Sequence, residues 1–312
     1  LGAGEAWSSN LLTHYGEDTP EFKTAFKAWY SAVQEHFRKK GWLDKAFIYW
    51  FDEPTAEQYE FCIKYNLMMK EAAPDLQRML TEQVEPELIG GPNLWCPVSH
   101  YYNHEAAEPR RLAGDRFWWY VCSTPMAPYA TLFIDHPATE MRVWLWQTWQ
   151  RKINGLLIWD TIWWTSNAAY PDRLQNPYED PMNWCPIMEG SVGVGDKIAW
   201  GNGGGLLLYP PLAAVDGSHG FPILDPPVTS LRMEMLRDGI EDYEYLTILR
   251  DLIAEMEAQG GETDLAVYRD LLEVPGSITA SMMEITWEPA PIESHREAVA
   301  RAIVELQRPA AE

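Results

Sequence analysis

The chain has 312 residues, 46% of them hydrophobic, with 16 Trp, 15 Tyr and a formal net charge of −22. That length suits one large domain or two ordinary ones around a sizeable core. So acidic a surface repels phosphate backbones and anionic bilayers, which sets nucleic acid and anionic membranes aside as partners, and no apolar run is long enough to span a membrane.

The four cysteines, Cys62, Cys96, Cys122 and Cys185, are scattered without a CxxC spacing and read as buried thiols. No leader is legible at the start. The first residue is not Met, so a preceding segment, and with it a secreted or periplasmic destination, stays open.

In chain order, the first element is a helix from about Pro20 to Lys40. Thr19 caps it, Pro20 occupies its first position and Gly41 ends it. AFIYWFD (46–52) is an aromatic run of strand length, suited to a strand buried on both faces as parallel sheets require. Thr55 and Gln58 form a capping box for a second helix that Pro74 terminates. RMLTEQ (78–83), LWCPV (94–98) and FWWYVCS (117–123) read as further strands. A helix then runs from Pro137 to about Asn154 with Gly155 as its stop, and GLLIWDT (155–161) and GLLLYPP (205–211) read as strands. Residues 165–204, rich in Pro, Asn and Gly, read as long ordered loops. From Ser230 a long amphipathic helix runs through LRMEMLRDGIEDYEYLTILRDLIAEMEAQ, with two more helices near 263–273 and 291–307. Strands alternating with helices predict a parallel α/β sheet or barrel. Five or six strands fall short of the eight of a (β/α)8 barrel; if the fold is such a barrel, its first strands are expected to be the ones missing here.

The stretch that decides the chemistry is YWFDEP (49–54). Adjacent side chains on a strand point to opposite faces, so Asp52 and Glu53 can share a pocket only where the strand ends and the backbone turns. Pro54 and the cap at Thr55 put that end here, and active sites of parallel α/β folds gather at the carboxyl ends of strands. Paired carboxylates repel, one of a pair keeps its proton, and a carboxylic acid beside a carboxylate suits cleavage of an acetal such as a glycosidic bond. Taken alone, Asp-Glu-Pro is also a common way to start a helix, whose dipole favours acids there.

YWFDEP, GLLIWDTIWW, the YPP at 209–211 and above all LRMEMLRDGIEDYEYL together resemble the catalytic domain of glycoside hydrolase family 123 and its relatives, over most of residues 20–255. The resemblance implies an α/β, TIM-like (β/α)8 barrel with the acidic pair after its fourth strand, lacking its first strands here and followed by C-terminal helices. Residues 1–255 would form the later part of the barrel and 256–312 a helical extension. It implies a retaining β-N-acetylhexosaminidase, the family's activity being on N-acetylgalactosamine. The mechanism would be substrate-assisted: Asp52 orients the sugar's 2-acetamido group, whose oxygen is the nucleophile, and Glu53 is general acid, then base. No cofactor is required.

Substrate contacts are expected from Asp160 amid Trp159, Trp163 and Trp164, from Trp119 and Tyr120 on the FWWYVCS strand, from Tyr102, and from Asn202. Tyr120 or Tyr102 would polarise the acetamido carbonyl. Asp160 reads equally well as a strand-end carboxylate capping its loop. His100, His104 and Glu105 lack the HExxH order of a zinc site and are expected on a loop that touches substrate. GVGDKIAWGNGGG (193–205) lacks both GxGxxG spacing after a strand and a Walker lysine. The acids of RDGIEDYEYL are expected to pair with Arg232 and Arg237 or to face solvent. The rival readings are a conventional two-carboxylate glycosidase using Asp160 and a non-catalytic carbohydrate-binding barrel. Oligomeric state is not legible.

Overall fold

The computed structural model describes residues 18–166, 168–170, 172–187, 192–215, 222–260 and 264–307. Two compact units are present. One runs to Tyr120 and takes in Ile153–Leu157; the other comprises Val121–Lys152 and the described residues from Ile158 on.

The first unit opens with helix α1 (Pro20–Lys40). Thr19 accepts a hydrogen bond from Phe22 N at 3.2 Å, and Gly41 closes the helix in the left-handed region with φ 68°. Arg38, Lys39 and Lys40 fill the last turn, where the helix dipole favours cations. Five strands follow: β1 (Phe47–Phe51), β2 (Gln77–Leu80), β3 (Leu94–Trp95), β4 (Arg116–Val121) and β5 (Gly155–Ile158). They pair in chain order in one parallel sheet. Helix α2 (Tyr59–Ala72) joins β1 to β2 behind a single 3-10 turn that Thr55 and Gln58 close as a capping box.

The sheet curls strongly. Strands β1 and β4 are three spacings apart, roughly 14 Å in a flat sheet. Yet the rings of Phe47 and Trp118 lie 5.1 Å apart, so both side chains stand on a concave face. Alternation then puts Tyr49 and Tyr120 on that face. Trp50 points the other way, its ring 5.4 Å from Phe26 and 5.2 Å from Tyr30 of α1. The architecture is an α/β half-barrel of five parallel strands. Among the described residues nothing pairs with the outer edge of β1.

In the second unit, α4 (Thr139–Gln150) is buried on nearly all sides. It packs with α6 (Leu231–Gln259) and α8 (Pro289–Leu306) around Val143, Trp146, Leu249 and Val299. A short helix α7 (Ala266–Asp270) lies between the last two, later than the start expected near 263, which is outside the described residues. Helices α6 to α8 share this core.

Several expectations are corrected. HYYNHE is not wholly loop: Asn103 caps a helix α3 (His104–Leu112), accepting from Ala106 N at 3.2 Å, and Pro109 within it hid the helical pattern. Helix α4 does not reach Gly155. It ends at Gln150, Lys152 turns the chain at φ 56°, and Gly155 instead opens β5. A Cβ there would stand 2.5 Å from the Trp118 indole, so glycine is what lets the two strands approach. The region read as loops holds an antiparallel hairpin, β6 (Met182–Pro186) with β7 (Lys197–Asn202). Of GLLLYPP, Leu208–Tyr209 form β8, which pairs antiparallel with β9 (Val228–Thr229) outside the parallel sheet, a four-residue helix α5 (Leu212–Val215) lying between them in the chain. All four cysteines are buried thiols.

Among the described residues Arg232 makes no acid pair. Its guanidinium is buried and donates to the carbonyl oxygens of Leu132, Gly203 and Leu206, the Gly203 contact being 2.7 Å. Burial pushes its pKa down. Asp242, the central acid of the motif, is buried and takes Arg142 Nε at 2.7 Å and Nη2 at 3.1 Å, Trp146 Nε1 at 2.9 Å and Arg296 Nε at 3.1 Å. Arg237 sits as expected among Glu234, Asp238 and Glu241 on an exposed face.

Candidate active site

The carboxyl end of β1 is irregular. Tyr49 pairs with Met79, but Phe51 pairs with Leu80, so one residue of β1 is bulged out. Just beyond, Glu53 adopts φ 45°, an uncommon conformation for a residue with a side chain. The bulge and the left-handed turn let neighbouring side chains depart from strict alternation, and Asp52 and Glu53 both emerge exposed at the strand end.

Their partners differ. Asp52 accepts hydrogen bonds from the phenol of Tyr49 and, at 3.2 Å, from the hydroxyl of Thr81. Glu53 accepts one from the phenol of Tyr120, while its backbone N–H donates to Thr81 Oγ1 at 2.7 Å. Tyr49 comes from β1, Tyr120 from β4, and Thr81 follows β2, so the carboxyl ends of three strands converge on two adjacent acids. Burial, and then the Asp52 carboxylate, push the Tyr49 pKa above its ordinary range, so the phenol stays a donor. Glu82, next to Thr81, is half-buried, and burial pushes its pKa up from 4.5, with Glu85 and Glu53 adding to the effect. Tyr59 faces Glu82, and burial together with this carboxylate raises its pKa as well.

The structure separates the other aromatic candidates on the first unit. Tyr120 lies on the concave face and reaches Glu53 although only 3% of it is exposed. Trp119 points to the opposite face and is wholly buried, its ring 5.9 Å from that of Tyr102, which takes it out of the set of surface contacts. Tyr102 turns its hydroxyl to Arg111 Nη2 at 3.0 Å and His104 Nδ1 at 3.3 Å. His104 also faces Glu108, and burial lowers the pKa of His100. Among the described residues no three His, Cys, Asp or Glu side chains are grouped to hold a metal ion.

In the second unit, the Trp159 and Trp163 rings meet edge to face at 4.4 Å, and Trp200 of β7 lies 6.0 and 6.2 Å from them. Gly205 stands against this group with φ +71°. A Cβ there would lie 3.2 Å from Trp163 Cβ and 3.3 Å from Asp160 Cβ. Asp160 Oδ1 accepts from its neighbours Thr161 N and, at 3.2 Å, Ile162 N, which is the loop-capping arrangement. Trp164 donates to Leu208 O at 2.8 Å, and Asn202 Nδ2 to Asp135 Oδ1 at 3.0 Å.

Sequence reasoning named Asp52, Glu53 and Tyr120 and missed Tyr49, Thr81, Glu82 and Trp200. Polar residues directly after an apolar strand were the available signal for Thr81 and Glu82, as they were for Asp52 and Glu53.

The family model for the catalytic domain of glycoside hydrolase 123 matches residues 5–197. Among solved structures, the chain resembles one described as a family 123 glycoside hydrolase from Clostridium perfringens, in a study of glycolipid glycan hydrolysis. The TM-score is 0.53 at 13% identity, over 93% of this chain and 46% of that one. The chain therefore spans about half the length of that protein. No curated protein matches the sequence. The family match covers well over half of the residues, and the chain belongs to glycoside hydrolase family 123.

Proposed function

We propose that this member of glycoside hydrolase family 123 is a retaining glycoside hydrolase that removes terminal β-linked N-acetylhexosamine, N-acetylgalactosamine in the first place, by substrate-assisted catalysis. The observation that carries the reading is the pair of adjacent carboxylates with unlike partners at the end of β1. Asp52 accepts from two hydroxyls, and Glu53 accepts from a phenol on another strand. The five strands are then the fourth to eighth of a (β/α)8 barrel, with the acids at its active-site end.

In this scheme the substrate's acetamido N–H is held by Asp52, which turns the acetamido oxygen toward the anomeric carbon. That oxygen forms a bond to C1 as the glycosidic bond breaks, and the leaving oxygen takes the proton of Glu53. Glu53, now a carboxylate, removes a proton from water, which attacks C1 and restores the acetamido group with net retention. The Tyr120 phenol donates to Glu53 Oε1 in both states, leaving Oε2 to carry the proton that passes to the leaving oxygen and later comes from water. Trp159, Asp160, Trp163, Trp164 and Asn202 are proposed as substrate contacts, since indole faces suit the C–H face of a sugar ring. The description of the Clostridium perfringens protein makes a glycolipid glycan the natural substrate class to try first.

The test is hydrolysis of aryl β-glycosides with and without the 2-acetamido group. Turnover should be confined to acetamido sugars and should fall about 10²–10⁴-fold in Glu53→Gln, the usual weight of a general acid. Asp52→Asn should lose rate on the same substrates. Turnover of plain glycosides at comparable rates would require a protein nucleophile and would overturn the scheme.

A further inference from the structure

The turn carrying the two acids is held by a residue outside the motif. Thr81 is buried just past the end of β2, and its hydroxyl sits at the centre of the carboxyl end of β1. It accepts from Glu53 N at 2.7 Å and lies 3.2 Å from Asp52 Oδ1, 3.4 Å from Phe51 O and 3.4 Å from the Tyr49 hydroxyl. The geometry has a cause in the sheet. The bulge in β1 and the left-handed Glu53 end the regular ladder with β2, and the Glu53 N–H would otherwise lose its partner. The threonine side chain takes the place of the missing ladder acceptor. Having one proton, it can do so while donating to the Asp52 carboxylate.

We propose that Thr81 is the positioning residue of the Asp52–Glu53 pair, one hydroxyl fixing the backbone of Glu53 and the carboxylate of Asp52 together. The proposal rests on the reading of these two acids as the catalytic pair. Tyr49 holds the Asp52 carboxylate and Tyr120 that of Glu53, each one acid only, whereas the Thr81 hydroxyl meets both residues at once. Serine keeps the hydroxyl; valine keeps the shape and removes it.

The test compares Thr81→Val, Thr81→Ala and Thr81→Ser in the full-length protein, using aryl and alkyl β-N-acetylhexosaminides, with melting curves to confirm folding. Misplacing reacting groups by an ångström costs on the order of 100-fold, so the two variants without hydroxyl should lose about 10–100-fold in kcat with KM within about threefold. Their loss should be larger for alkyl leaving groups, which depend most on the acid, and Thr81→Ser should keep activity within about threefold of the parent. Full activity in Thr81→Val or Thr81→Ala, or a loss that Thr81→Ser shares, would overturn the proposal, as would a loss independent of the leaving group. If the parent protein turns over no glycoside, the functional reading falls by itself. Positioning is then decided by crystal structures of the parent and Thr81→Ala, where unmoved Asp52 and Glu53 carboxylates would overturn it and a displaced turn would uphold it.

Discussion

Replacing Asp242 by Asn should destabilise the second unit more than any change at its surface. The carboxylate is 1% exposed and receives four donors from three side chains, Arg142, Trp146 and Arg296. Asparagine fills the same volume, but its amide nitrogen turns a donor toward guanidinium donors and removes the charge that balances the buried Arg142. Leaving a buried charge without its partner costs about 3–5 kcal/mol. Arg142 keeps Glu293 at 2.6 Å through Nη1, and the Asn oxygen still accepts, so the expected loss is about 2–4 kcal/mol. For a unit of this size that is a fall in melting temperature of roughly 5–10 °C. Thermal and urea unfolding of Asp242→Asn, beside Arg237→Gln on the exposed face of the same helix, gives the comparison. Arg237 sits in a solvent-exposed cluster and should move stability by no more than about 0.5 kcal/mol. A loss below about 1 kcal/mol for Asp242→Asn, or one no larger than that of Arg237→Gln, would refute the buried-pair reasoning.

Gly155→Ala should cost about 1–3 kcal/mol, since its Cβ would stand 2.5 Å from the Trp118 indole and the ring has Phe47 beside it; unchanged urea unfolding would show that the indole yields freely. Glu82 gives a pH dependence. Its pKa is raised by burial, so the folded state holds the proton above pH 4.5 while the unfolded state releases it, and stability falls as pH rises from 4.5 through the folded value. Glu82→Gln should therefore gain stability over the parent progressively as pH rises from about 4.5 through the folded value, and a difference that is constant with pH would contradict the assignment.

Much of the half-barrel was legible because its signals are local. The parallel strands are near-continuous apolar runs, and α1 and α6 are marked by caps at Thr19, Gly41 and Ser230. What escaped is what depends on distant contacts. Helix α3 contains Pro109 and has one capping side chain, so its periodicity is weak. The β6–β7 hairpin is half exposed and shifts register between Asn183 and Trp184, which breaks the alternation that would announce it. Arg232 was paired by proximity in sequence with the acids around it, whereas its partners among the described residues include carbonyl oxygens 26 to 100 residues away.

The same division runs through the candidate site, and it says why a motif of two letters is an incomplete description of it. Asp52 and Glu53 were visible because a strand end followed at once by a helix cap is written in six consecutive residues. Their orientation is not. Thr81 lies 28 residues from Glu53 and Tyr120 lies 67 away, and both meet it only because β1 is bulged by one residue against β2 and the sheet curls enough to bring β4 round. With a regular ladder, Glu53 N–H would pair in the sheet and its side chain would alternate away from Asp52. The irregularity is therefore what makes an adjacent pair usable, and a chain carrying DEP after a straight strand, with no hydroxyl at the Thr81 position, should present the same two acids on opposite faces.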